Sequence, residues 1–269
     1  MRKDTPRMFV YDEIKNYLYE KPFGPSLIGT TKTLSDVDRK KIVDRFNKTY
    51  FSNNLIFAIV GDADFEEICF YLEKNFQKKE MKISSFEIKL RNEKKILKRK
   101  GIDQANLVFA FHGPKAGEDL YYAAEVLITL IAGGMSSRLF TEIREKRNFA
   151  YAVKGDLASD RDFGYFLIYV GTTKENVEEV KQIIFEEFEK VSKNLDEKEL
   201  SSVKDQIIGN HLIEREDSQI ELLHLLYHEI SGKLGDAVKF EEKISKVKLE
   251  DVKKLAKIKD YSFLALIPE

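Results

Sequence analysis

Residues 133–153 constrain the fold of this chain more than any other stretch. Two glycines open the segment, residues that favour a short helix follow, and an extended apolar run closes it. Ser136 or Ser137 is expected to cap the helix, because a hydroxyl can accept a hydrogen bond from an unpaired amide of the first turn. A glycine turn, a helix and a strand in direct succession predict that the chain reverses at the tip of that helix.

The predicted reversal brings two polar side chains together. Arg144 falls in the last turn of the helix, and Tyr151 lies at the start of the strand that follows. A guanidinium and a phenol can both donate hydrogen bonds to a carbonyl oxygen, which suits the binding of a peptide backbone. Taken alone, the pair is explained more simply by a structural ion pair and an aromatic residue in a strand.

The same block resembles the signature of the C-terminal half of the insulinase/pitrilysin family of zinc peptidases, which includes the mitochondrial processing peptidases. The matching residues are Gly133, Gly134, Ser137, Arg138, Leu139, Phe140, Arg144 and Tyr151. The resemblance implies that Arg144 and Tyr151 bind the peptide substrate near the scissile bond. It also implies that the supporting turn consists of Gly133, Gly134, Ser137 and Arg138, and that zinc is bound by the other half of the enzyme.

The zinc ligands of that family are missing from this sequence. A hydrolytic zinc requires two histidines on one helix face with a carboxylate base beside them, which the family provides as His-x-x-Glu-His. The chain has four histidines, and none belongs to such a motif: His112, His211, His224 and His228. We therefore expect no metal bound by this chain and no peptidase activity from it alone, with zinc on a missing or partner half.

Two explanations for the missing ligands stay open. The chain is either a fragment or late-start product of a longer peptidase, or a natural subunit whose zinc-bearing half is another polypeptide. In both cases its expected function is the substrate-binding, non-zinc portion of a metallopeptidase that degrades or processes peptides. The alternative is a non-catalytic scaffold or assembly subunit of the same family.

An internal repeat predicts how the chain is divided. Residues 34–37 read Leu-Ser-Asp-Val, and a basic helix and the apolar run at residues 55–59 follow them. Residues 249–252 read Leu-Glu-Asp-Val, and a similar helix and the apolar run at residues 263–267 follow them. Such a duplication predicts a complete second domain at residues 91–269 and the back end of a first domain at residues 1–90.

The shortened first domain carries two expectations of its own. The continuous apolar run from Leu55 to Gly61 predicts a buried strand. An apolar edge without its missing strands also invites self-association, so a homodimer is expected. The charge-rich residues 78–100 predict an interdomain linker followed by a strand with a polar face.

The expected fold class is α+β. Alternating helix and strand signals with several long helices fit this class. The resemblance implies mixed, largely antiparallel sheets with helices packed on one face, and two processing-peptidase-like domains that enclose an unfolded peptide.

Composition excludes several other partners. A formal net charge of −1 argues against nucleic acid, and no apolar run approaches the ~20 residues of a membrane span. The single cysteine, Cys69, excludes an internal disulfide, and no secretory signal is visible, so a cytoplasmic location is expected.

One further group of residues could bind a metal. Glu221, His224 and His228 fall on one face of a predicted helix, because residues three, four and seven apart are neighbours. A second copy of the motif is missing and leucines surround it, so a structural role is favoured over a metal site.

Overall fold

One mixed sheet organises the computed structural model, which describes residues 4–76 and 87–269. The strand order is β1-β5-β2-β4-β3; β1 and β5 are parallel, and every other neighbouring pair is antiparallel. The strands are β1 (Lys94–Arg99), β2 (Ala105–His112), β3 (Ala150–Ser159), β4 (Gly164–Thr172) and β5 (Ser262–Pro268). The mixed, largely antiparallel sheet predicted from the sequence is confirmed.

The inner strands are apolar on both faces because both faces are covered. β4 is buried along its whole length, and β2 is buried except at its last residue. Phe109 and Ile168 face one core, whereas Val108 and Leu167 face the other. Period-two alternation across a sheet with two covered faces yields the continuous apolar runs seen in the sequence.

A layer of helices covers the first of these faces. α6 (Tyr121–Ala132) lies at its centre and is almost entirely buried. The rest of the layer consists of α7 (Val177–Asn194), α8 (Glu197–Glu214), α9 (Ser218–Ile230), α10 (Leu234–Ala237), α11 (Phe240–Ser245) and α12 (Leu249–Leu255). The predicted packing of helices on one face is therefore confirmed for the helices between residues 121 and 255.

The other face of the sheet is covered by the N-terminal helices α1 (Pro6–Glu13) and α2 (Lys15–Leu18). Val10, Ile14 and Leu18 are fully buried there against side chains of β2, β4 and β5. Residues 9–23 thus contribute to the core of the sheet formed by residues 94–268. The division of the chain near residue 90 stays a prediction.

The next segment contains α3 (Thr31–Ser35), α4 (Arg39–Thr49) and α5 (Phe65–Asn75). Side-chain oxygens of Thr30, Asp38 and Asp64 accept the N-terminal amides of these helices, as expected of capping residues. None of the three helices contains a buried residue. Their capping residues are those expected of stable helices, but within the described residues no hydrophobic core packs against them.

The buried strand predicted for residues 55–61 is wrong. This stretch belongs to no strand, and Ile56, Phe57 and Ile59 are each about half exposed, at 51%, 50% and 53%. A strand requires a neighbour with which to form its hydrogen-bonded ladder, and the described residues place none alongside.

The charge-rich segment divides into two parts. Residues 94–99 form the edge strand β1, whose largely exposed residues confirm the predicted polar face. Most of the predicted linker, residues 77–86, lies outside the described residues. Within the described ranges no helix is both long and apolar enough to cross a membrane.

Candidate functional site

The helix that carries Arg144 is a π-helical turn, Phe140–Glu145. Its wider hydrogen-bonding pattern continues at Lys146, whose amide donates to the Thr141 carbonyl at 3.0 Å. Single π-helical turns are often found at functional sites. The predicted serine cap is wrong, because the Ser137 hydroxyl donates to the Gly134 carbonyl at 2.7 Å and the turn has no side-chain cap.

The chain reverses after this turn because Asn148 adopts the left-handed conformation, with φ 56°. Its amide donates to the Arg144 carbonyl at 3.0 Å, and the Phe149 amide donates to the Ile143 carbonyl at 2.9 Å. Asparagine is one of the few residues that enter this region readily at the end of a helix. β3 begins at Ala150, and Tyr151 is therefore brought back beside the end of the turn.

The glycine turn is held from a distant helix. Gly134 has φ 121°, a conformation that a side chain would strain. Gln206 of α8 donates from Nε2 to the Gly133 carbonyl at 3.0 Å, and the Ser136 hydroxyl lies 3.4 Å from its Oε1. Gln206 was not predicted, because nothing in its sequence neighbourhood indicates a contact so far along the chain.

Arg138 anchors the turn to the helical layer. Its Nε and Nη2 bind both carboxylate oxygens of Glu199, at 2.7 and 2.5 Å, and its Nη1 lies 3.4 Å from Glu187. Glu187 is buried and also accepts from Lys190 at 2.5 Å. The hydrogen bonds to Glu199 raise the pKa of Arg138 further. A bidentate pair of this kind fixes orientation as well as charge.

A cavity of about 430 Å³ opens beside the turn. Its walls include Gly133, Gly134, Arg144, Tyr151 and the edge strand β3 as far as Asp156. Tyr151 is 68% exposed. The six residues predicted for the site are thus arranged in two levels, with Ser137 and Arg138 outside the cavity wall and the other four forming part of it.

Close packing of α6 on β3 shapes one wall of the cavity. A Cβ atom on Gly155 would lie 2.6 Å from the Ala132 Cβ and 2.9 Å from Ile128 Cδ1. Only glycine allows this approach without a shift of the helix or the strand. The end of α6, and with it the glycine turn, is therefore held directly against the edge strand.

Arg144 and Lys154 are basic residues of the cavity wall that have no carboxylate partner within the described ranges. Lys146 and Arg147 both bind Glu142, at 2.5 and 2.7 Å, and these two hydrogen bonds hold the pKa of the Glu142 carboxyl below its usual range. Arg144 forms no ion pair with any residue of the described ranges, and its guanidinium lies 5.0 Å from the centre of the Phe140 ring. It is exposed, so it is available to bind a carbonyl or carboxylate group.

Three histidines cluster elsewhere, between α8 and α9. The ring centres of His211 and His224 are 4.9 Å apart, and those of His224 and His228 are 4.6 Å apart. Glu221 instead pairs with Arg215 at 2.8 Å, and His224 Nε2 contacts the Ala237 carbonyl at 3.3 Å. Within residues 4–76 and 87–269, no group of three or more His, Cys, Asp or Glu side chains is arranged to hold a metal ion.

The donor set of the described chain therefore does not fit a hydrolytic zinc. The Glu221, His224 and His228 set is occupied by structural contacts. No step of a zinc-dependent reaction can be assigned to these residues.

Two relatives with known sequences match most or all of this chain. A zinc protease of Rickettsia felis, whose own function is uncharacterized, is 29% identical over 80% of this chain and 53% of the relative. The uncharacterized zinc protease YmxG of Bacillus subtilis is 25% identical over 100% of this chain and 67% of its own length. The chain thus spans about half the length of the first of these relatives and two thirds of the second.

A solved structure shows the same fold. The crystal structure of a protease from Helicobacter pylori superposes with a TM-score of 0.89 at 21% identity, covering 99% of this chain and 68% of that one. The family described as the peptidase M16 inactive domain matches residues 36–207, which is more than half of the sequence. The chain therefore belongs to the peptidase M16 family and contains its inactive domain.

Proposed function

We propose that this chain is the substrate-binding, non-zinc portion of an M16 zinc peptidase that degrades or processes peptides. The proposal depends above all on one observation: Arg144 and Tyr151 line the same open cavity at the edge of the sheet. Both side chains can donate to a peptide carbonyl. The catalytic zinc is then supplied by another part of the enzyme, either a partner chain or a segment outside this sequence.

The charge distribution around the cavity supports this proposal. Arg138, Lys146 and Arg147 pair with Glu142, Glu187 and Glu199. The guanidinium of Arg144, like the ammonium of Lys154 on the same wall, is left without a carboxylate partner within the described ranges. A structural arginine would be expected to take part in such a pair. An unpaired one, fixed by a π-helical turn, is suited to interact with charge that develops on a substrate carbonyl.

The turn that carries the site is held in place by contacts with the neighbouring helices. Arg138, Gln206 and the close approach of Gly155 to α6 fix the turn that precedes Arg144. Preorganised donors lose little freedom when a ligand binds. The cytoplasmic location expected from the sequence is part of the same proposal.

Turnover by the assembled peptidase tests the proposed roles. Arg144→Ala and Tyr151→Phe are each expected to lower kcat/KM for an unfolded peptide, with the arginine change costing about 10²-fold because a charge-assisted hydrogen bond is lost. Zinc content should stay unchanged. Arg161→Ala is the matched control, because Arg161 is exposed and pairs only with its neighbour Asp162 in the described structure.

Unchanged turnover in both variants would refute the proposed contact with the substrate. That outcome would favour the alternative of a scaffold subunit. A loss of zinc together with activity would instead indicate that the substitutions disturb assembly.

A further inference from the structure

One edge of the sheet runs along the cavity that Arg144 and Tyr151 line. β3 pairs with β4 on one side, and among the described residues no strand pairs with its other side. The cavity wall follows β3 from Tyr151 to Asp156. The free side of an edge strand presents amides and carbonyls that can pair with an extended peptide. A peptide in the cavity is therefore expected to lie alongside β3.

Side chains of β3 alternate between the two faces of the sheet. Val153 belongs to the core beneath the helical layer, and a Cβ atom on Gly155 would point toward α6. Ala152 instead packs against the core on the opposite face. Lys154 and Asp156 follow Ala152 in the same alternation, and both are exposed. The edge of the cavity thus carries a cation and an anion two residues apart on one face.

Neither of these two charges is paired within the described ranges. Lys154 and Asp156 form no ion pair and no side-chain hydrogen bond there. Across the ladder, Lys154 is opposite Tyr169, and the guanidinium of Arg7 lies 4.9 Å from the centre of the Tyr169 ring. This second cation adds to the positive potential around Lys154, which favours an anionic ligand at this part of the strand.

We propose that Lys154 and Asp156 select peptide substrates by charge. On a peptide strand added to β3, the residues opposite Lys154 and Asp156 are two positions apart and point to the same face. The favoured substrate therefore carries an acidic residue opposite Lys154 and a basic residue opposite Asp156, with one residue of any kind between them. The inference rests on the proposed function, because it requires the peptide to occupy the cavity of Arg144 and Tyr151.

The spacing along β3 gives the position of the acidic residue in the substrate. Tyr151 and Lys154 are three residues apart in the sequence, which corresponds to about 10 Å in a strand. Tyr151 is proposed to contact the peptide near the scissile bond. The acidic residue therefore lies about three positions from that bond, and the basic residue lies about five positions from it on the same side.

Charged side chains on an edge strand have a simpler possible role, which is to prevent aggregation through that edge. Charges that serve only this purpose do not make turnover depend on the sequence of the substrate. The two roles are therefore separated by measuring which peptides are cut.

The test uses the assembled peptidase and an unfolded peptide that it cuts at one bond. Glu or Lys is placed in turn at each position on either side of that bond, and kcat/KM is measured for every peptide. We expect one position, about three residues from the bond, at which Glu is favoured over Lys about tenfold, because an attractive cross-strand pair replaces a repulsive one. Two positions further from the bond, Lys should be favoured over Glu.

Charge reversal identifies the residues responsible. Lys154→Glu should invert the preference at the first position, and Asp156→Lys should invert it at the second. Lys154→Gln should abolish the first preference, which keeps the test decisive should the reversed variant fail to fold. Lys98→Glu is the matched control and should retain both preferences. Lys98 is an exposed residue of β1, the strand at the opposite edge of the same sheet.

Three results would overturn the inference. They are the absence of a charge preference at every position, a preference that Lys154→Glu and Lys154→Gln leave unaltered, and an equal shift of the preference in Lys98→Glu. The outcome is distinguishable from that of the proposed function. Turnover that is lost in Arg144→Ala, together with a preference unaltered in Lys154→Glu, would refute charge selection alone. An inverted preference in Lys154→Glu with full turnover after Arg144→Ala would support charge selection and refute the proposed role of Arg144.

Discussion

His228 makes the stability of this fold depend on pH. Its imidazole is buried, lies 4.6 Å from the ring of His224, and faces Asp236 and His211 from neighbouring helices. Burial lowers the pKa of His228 to about 4, and the nearby His224 and His211 lower it further than Asp236 raises it. In the unfolded chain the same group titrates near its ordinary value of about 6.5.

The direction in which stability changes with pH follows from which state, folded or unfolded, binds the proton. Between pH 6.5 and about 4 the unfolded chain holds a proton on His228 that the folded chain does not, so folding is disfavoured as the pH falls through this window. Above pH 6.5 the stability contribution is present in full. Linkage over this range gives a loss of about 2 kcal/mol in the free energy of unfolding between pH 7.5 and pH 5.0 from this residue alone.

Urea unfolding of the full chain and of His228→Leu at both pH values measures this contribution. Leucine fills the buried position without a titratable group, so the stability of the variant should fall by about 2 kcal/mol less than that of the original chain. Equal losses in the two proteins would refute the reasoning. So would an imidazole titration of His228, followed by NMR, with its midpoint near 6.5.

Two further predictions concern the support of the candidate site. Arg138→Ala should lower the free energy of unfolding, measured in urea, by about 3 kcal/mol, because it leaves the buried Glu187 with a single cationic partner. The control, Arg161→Ala, should lower it by less than about 0.5 kcal/mol. Equal losses in the two variants would contradict this account. Gly155→Ala should lower the free energy of unfolding by about 1–3 kcal/mol, because its Cβ would overlap Ala132. Gly209→Ala in α8 is the control. No atom lies within 4 Å of its added Cβ, so this substitution should stabilise the chain by about 0.5–1 kcal/mol. A neutral Gly155→Ala in thermal unfolding would show that α6 and β3 separate easily.

The sequence predicted the fold best where the signal was local and continuous. β2, β4 and β5 are long apolar runs, and α6 is an apolar helix, so length and composition indicate the type of each element. The pairing order of the strands did not follow in the same way, because it depends on contacts between distant residues. Thr5 and Pro6 are typical of a helix start, and α1 begins at Pro6, but the packing of α1 and α2 on the far face of the sheet has no local signal.

Errors at residues 55–61 and at the serine cap have different physical causes. The first arose because an apolar run specifies a strand only when a neighbour completes its ladder. The second arose because a serine hydroxyl can donate to a carbonyl as readily as it accepts from an amide, and Ser137 donates to Gly134.

The candidate site was predicted only in part. Arg144 and Tyr151 were singled out by their spacing and by resemblance, and the structure places both on one cavity. Asn148, Gln206 and Glu187 were not anticipated, although each fixes the turn or its anchor. Asn148 carried a usable signal, since an asparagine between a helix and a strand often adopts the left-handed conformation. For Gln206 and Glu187 the contact is long-range and left no local trace.

The most direct measurement of the central claim is the location of a bound peptide. A complex of the assembled peptidase with an unfolded peptide carrying a photoreactive group, followed by mass spectrometry, identifies the residues that the peptide touches. We predict that crosslinks fall on the wall of the cavity near Arg144 and Tyr151. Crosslinks confined to the zinc-bearing half, with none on residues 133–156 of this chain, would contradict the account.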